Sequence, residues 1–89
     1  MATTDFLALW GILEERLGSL MMSIAGLPDI RRESIRDYID HNEFGIAFEE
    51  LIDTISDMEL LLNQEQRQEM AHLASLVALP PSVLAPLKQ

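Results

Sequence analysis

Cysteine is absent from the 89 residues. That removes disulfide cross-links, thiolate nucleophiles and thiolate metal ligands together. The chain must hold itself together by packing alone, with about 5–10 kcal/mol expected for a domain of this length. Cations are scarce: six Lys and Arg stand against 15 Asp and Glu, for a net charge of −9 and a pI near 4.4. Nucleic-acid binders displace counterions with clustered Lys and Arg, so this balance argues against direct contact with DNA or RNA. Long apolar runs are missing too. The longest uncharged stretch, Met70 to Leu87, is interrupted by Pro80, Pro81 and Pro86, whereas a spanning helix needs ~20 continuous apolar residues. The first fifteen residues carry Asp5, Glu14 and Glu15 and no Lys or Arg, the wrong sign for a secretory leader. A cytoplasmic protein that neither spans nor binds a membrane is the expectation.

The apparatus of catalysis is equally thin. There is no Gly-rich phosphate loop, no nucleophile elbow and no Ser, His and Asp spacing that would form a triad. His41 and His72 are the two histidines, and His41 falls at a helix boundary, where an imidazole commonly caps carbonyls. Glu69 and His72 form one Glu-x-x-His pair, a motif that occurs twice in di-iron bundles alongside two further glutamates. A single copy would need a dimer to complete a site. No enzyme activity, metal or cofactor is expected.

What the sequence does contain is helical periodicity from end to end. A first helix is expected from about Asp5 to Ala25, with Thr4 as N-cap. Its core stripe comprises Phe6, Leu9, Trp10, Leu13, Leu17, Leu20, Met21 and Ile24, spread over about 120°. Gly26-Leu27-Pro28 stops it. A second helix should run from Asp29 to His41, burying Ile35, Tyr38 and Ile39 and turning Arg31, Arg32, Glu33 and Arg36 to water. His41-Asn42 reads as its end and as the N-cap of a third helix, Glu43 to Leu61, whose stripe is Phe44, Ala47, Phe48, Leu51, Ile52, Ile55 and Met58. Asn63 with Gln66 has capping-box spacing for a fourth helix, which buries Met70, Leu73, Ala74 and Val77. Pro80 and Pro81 end it, and Val83, Leu84 and Leu87 are expected to clamp a short apolar tail onto the bundle. The fold class is all-α: residues 1–89 form one compact bundle of four helices, with mobile ends at 1–4 and 88–89. Short connections favour antiparallel neighbours.

Charge is distributed unevenly along this plan. From Asp37 to Gln66 there is no Lys or Arg, yet there are nine carboxylates. On the third helix Glu49, Glu50, Asp53 and Asp57 fall within a ~100° arc opposite the core stripe. Like charges at i, i+4 cost an isolated helix a few tenths of a kcal/mol each, and this arc has no cation of its own to offset them. Ile46 projects near the centre of the arc. An apolar residue ringed by carboxylates matches an interface with a desolvated anchor and charged rim, and a cationic partner is its complement. The candidate binding residues are Ile46, Glu49, Glu50, Asp53 and Asp57, with Asp37 and Asp40 at the rim. Ile12 and Met22 fall outside the first helix's stripe and could serve either a wider core or a dimer seam.

The block from Ile35 to Leu51 resembles a segment of the MafI-type immunity proteins, small acidic helical proteins encoded beside bacterial polymorphic toxins, including contact-dependent inhibition systems. Their pattern is an aromatic-Ile-Asp-His-Gly-Glu-aromatic-Gly-Leu-Ala stretch joining two helices. Here Tyr38-Ile39-Asp40-His41, then Glu43-Phe44-Gly45 and Ala47, occupy those places. Asn42 departs from the usual Gly, mildly, since Asn tolerates the left-handed conformation. The specific match covers about seventeen residues, a looser one continues to residue 87 and the first helix carries no matching motif. Physically, the motif describes a tight corner, with Gly45 allowing two helices to approach.

The resemblance implies an immunity protein that binds one cognate toxin, contact-delivered or secreted, and blocks it without chemistry of its own. Many such toxins are nucleases with cationic clefts, so an RNase is the expected partner. The free protein would be a monomer or weak homodimer. The competing expectation is a homodimeric adaptor or regulator, with no toxin partner, joined through Ile12 and Met22.

Overall fold

The computed structural model describes the backbone of residues 2–87 and the side chains of residues 7–87. Met1 and residues 88–89, at the ends expected to be mobile, lie outside the described residues. So does the side chain of Phe6.

Four helices form in the expected order: α1 Ala2–Ser23, α2 Asp29–Asp40, α3 Phe44–Met58 and α4 Gln64–Leu76, followed by a single 3-10 turn at Pro81–Leu84. Helix α1 begins at Ala2, so Thr4 lies inside it and is not its cap. It ends two residues earlier than its periodicity suggests, because the Ser23 hydroxyl donates to the Leu20 carbonyl and Gly26 turns the chain at φ +91. Asn63 builds the capping box of α4: its Oδ1 accepts from the Gln66 amide at 2.7 Å, and Gln66 Oε1 accepts from the Asn63 amide at 2.9 Å.

The corner between α2 and α3 differs from its expected form. His41 is the C-cap of α2, Asn42 adopts the left-handed conformation at φ 59, and Glu43 occupies the N-cap of α3 without a side-chain cap bond. Asn42 thus supplies the reversal of direction and caps nothing. A Cβ built on Gly45 would meet nothing within 4 Å, so this glycine does not mark a close helix approach.

The interhelical contacts define antiparallel neighbours. Arg16 meets Glu69 and Ser23 meets Gln66, pairing α1 with α4. Arg36 lies over Gly18 and Arg32 reaches Met22, pairing α1 with α2. Arg31, early in α2, reaches Asp57, late in α3. The α2–α3 pair has the largest interface, and α3 and α4 pack on α1 rather than on each other.

One core joins Leu13, Leu17, Met21 and Ile24 of α1 to Ile35 and Ile39 of α2, Phe48, Leu51 and Ile55 of α3, and Met70 and Leu73 of α4. Val83, Leu84 and Leu87 pack against it half-buried, as the apolar tail was expected to do. Two members of the anticipated stripes escape burial: Trp10 is 39% and Met58 51% exposed. Both stand near a helix end, Trp10 early in α1 and Met58 as the last residue of α3. Among the described residues, the first buried one of α1 is Leu13, while Leu7 and Ile12 are exposed with Trp10. Among the described residues, no helix is long and apolar enough to cross a membrane.

Candidate functional site on helix α3

Burial of Phe44, Ala47, Phe48, Leu51, Ile52 and Ile55 sets the rotation of α3, and the rest of its surface follows from the 100° step per residue. Ile46, Glu49 and Asp53, at i, i+3 and i+7, fall on one outward strip, all exposed, with Ile46 retaining 47% of its surface. Among the described residues neither Glu49 nor Asp53 has a cation within ion-pair distance.

The other two carboxylates of the arc behave differently. Arg31 crosses from α2: its Nη1 stands 3.5 Å from Glu50 Oε1 and its Nη2 3.8 Å from Asp57 Oδ2. Nη1 also donates to Thr54 Oγ1 at 3.3 Å. Thr54 is the one buried polar side chain among the described residues, and its hydroxyl donates to the Glu50 carbonyl at 2.8 Å. The expectation that Arg31 faces water and that the arc lacks any counter-charge is therefore corrected. Cross-helix packing supplies one arginine, which offsets one of the two charges on the flank nearest α2. The outer flank keeps its charge.

Arg32 and Arg36 also fold back onto the bundle, half-buried. Arg32 Nη2 donates to the Leu27 carbonyl at 3.5 Å. The Arg32 Nε is buried without a hydrogen-bond partner, and the Arg36 guanidinium lies over Gly18.

Asp37 and Asp40, the rim residues, belong to α2 rather than to α3. Both are exposed, and Asp37 lies on the side of α2 opposite the buried Ile35. His41 Nδ1 donates to the Asp37 carbonyl at 2.8 Å and stands 3.6 Å from its carboxylate. The carbonyl bond first, then the charges of Asp37, Glu43 and Asp40, push the His41 pKa above its usual 6.5. His41 thus caps a helix end.

The Glu-x-x-His pair of α4 is occupied by an arginine. Arg16 Nε donates to Glu69 Oε2 at 2.9 Å, and Nη2 donates to Oε1 of the same carboxylate in a bidentate pair. His72 Nε2 lies 3.4 Å from Arg16 Nη1. A guanidinium held there blocks the position a metal ion would take, and no cluster of three metal-ligating side chains occurs among the described residues.

A concavity of about 560 Å³ opens beside the strip, where α3 and α4 diverge. Ile55 and Ser56 of α3, Leu60, Met70 of α4, and Leu84 and Leu87 of the tail line it. No local pattern announces this cavity, because three separate segments must meet to enclose it.

No family model, curated protein or solved structure matches this chain.

Proposed function

We propose that this chain is a cytoplasmic immunity protein of the MafI type, which binds and neutralises a contact-delivered or secreted bacterial toxin, a cationic RNase. The observation that carries the reading is the outer strip of α3, where Glu49 and Asp53 stand exposed beside the exposed Ile46, with no cation paired to them among the described residues. A fold gains nothing from carboxylates at i, i+4 with no counter-charge. A cationic cleft does: it finds charges where phosphates would lie, and an apolar contact to exclude water between them. Binding requires no chemistry from the inhibitor. The motif from Tyr38 to Ala47 supports the family reading independently of this strip, since it lies mostly in the α2–α3 corner.

The test is co-purification of the tagged protein with the product of the reading frame immediately upstream. A basic toxin domain should be retained at low salt and released at high salt. Failure to bind that product refutes the reading.

A second reading, a homodimeric adaptor with no toxin partner, draws on α1. Ile12 and Met22 are 47% and 57% exposed, and Leu7 and Trp10 add apolar surface near its start. Sedimentation separates the two readings, since a strict monomer at high concentration rules out the seam.

A further inference from the structure

The cavity beside α3 is separate from the acidic strip but continuous with it. Ser56, on its wall, lies three residues beyond Asp53 and seven beyond Glu49. All three therefore share one line along the helix, and the rise from Glu49 to Ser56 is about 10 Å. The volume of about 560 Å³ falls inside the range of roughly 300–1,000 Å³ typical of sites that hold small molecules or anchoring side chains. Its origin is architectural. Helices α3 and α4 rest on α1 and leave a gap between them, which the tail half-closes with Leu84 and Leu87.

The occupant is constrained by both lining and charge. Leu60, Leu84 and Leu87 are only half-buried, so a guest that covers them gains by desolvation. Glu59, exposed, stands at the edge, and the C-terminal end of α3 directs the negative end of its dipole to the same place. Arg67 on the α4 wall is held in place, its Nε donating to the Leu62 carbonyl. The wall thus carries one charge of each sign, and the excess negative charge lies outside it, on Asp53 and Glu49 of the strip.

The geometry points to an anchor pocket for a protein partner: an extended segment that sets Lys or Arg against Asp53 and Glu49 and inserts a large apolar side chain, two residues along, between α3, α4 and the tail. In an extended strand, residues i and i+2 share a face about 7 Å apart, so one side chain can meet the strip while the next on that face reaches past Ser56, three residues beyond Asp53. This inference rests on the reading of the α3 strip as a partner's contact and names the complement that partner presents.

Two peptides titrated into the full-length protein, followed by backbone amide resonances, test it. The first is acetyl-Lys-Ser-Phe-Ser-Lys-amide; the second replaces Phe by Ser. The Phe peptide should produce saturable shifts at Ser56, Leu60 and Leu84 as well as at Asp53, and bind at least tenfold more tightly than its Ser counterpart. Ser56→Trp, which fills the cavity, should remove that advantage; Leu84→Lys is the second variant should the first fail to fold. Equal affinities for the two peptides, or shifts confined to Glu49 and Asp53, would overturn the pocket. The same variants measured against the toxin domain keep the two claims separable. Toxin binding unaffected by Ser56→Trp refutes the anchor alone, whereas a Phe peptide that binds here while the toxin does not refutes the immunity reading alone.

Discussion

Two charge reversals one turn apart should change stability in opposite directions. Asp53 has Glu49 four residues before it and Asp57 four residues after it, so Asp53→Lys converts two repulsive pairs into two attractive ones. Each conversion is worth roughly 0.4–1 kcal/mol. Arg31 already holds Asp57 at 3.8 Å, which trims the second, and the expected gain is about 1 kcal/mol. Lys also has the better helix propensity. For a domain of this size that raises Tm by about 4–8 °C. Glu50→Lys makes the same change in formal charge, yet it removes the carboxylate 3.5 Å from Arg31 and places an ammonium beside the guanidinium. Its Tm should fall. Thermal unfolding at low salt and again near 1 M salt, where the screening length drops to about 3 Å, measures both. A fall for Asp53→Lys at low salt, or equal shifts for the two variants, would refute the division of the arc into a braced and an unbraced flank.

The remaining expectations concern single positions. Gly45→Ala should stabilise α3 by about 0.5 kcal/mol, because its Cβ would meet open space, and a loss of stability in urea titration would restore the close approach that the corner motif suggests. Gly26→Ala should cost more than about 1 kcal/mol in the same assay, since the position combines φ +91 with Leu60 Cδ2 at 2.9 Å. Phe48→Ala, at a site with no exposed surface, should cost about 3–5 kcal/mol in urea titration, about half of the stability expected for so small a domain, and a loss below about 1 kcal/mol would contradict the core described here. His41 should titrate above 6.5 by NMR, because its protonated form is held by Asp37. Its contribution is full below the unfolded pKa and is lost as pH rises through the folded one, so His41→Ala should flatten that decline.

Local chemistry carried the element plan. The stripe of α3 and the Asn63–Gln66 box are short-range patterns, and each produced its element, though α3 stops at Met58, three residues short of the expected Leu61, where Glu59 turns left-handed at φ 52. Trp10 and Met58 were misplaced because periodicity tells which face of a helix is apolar and not where along the helix burial begins and ends. Thr4 lost its capping role for a related reason, since α1 continues through it to Ala2. At the candidate site, exposure of Ile46, Glu49 and Asp53 followed directly from the burial of Phe48, Leu51 and Ile52. The bracing of Glu50 and Asp57 did not, because it comes from Arg31 across an interhelical contact that the sequence separates by 19 and 26 residues. The cavity was invisible for the same reason, as α3, α4 and the tail enclose it only once packed on α1.

The most direct test of the account is calorimetric titration of the upstream-encoded toxin domain with the wild-type protein and with the Glu49→Lys/Asp53→Lys variant, at two salt concentrations. Loss of at least a hundredfold in affinity, about 2.7 kcal/mol or more, with a weaker salt dependence and an intact fold, is the predicted result. Unchanged affinity in a folded double variant would contradict the claim that the outer strip of α3 is where this protein meets its partner.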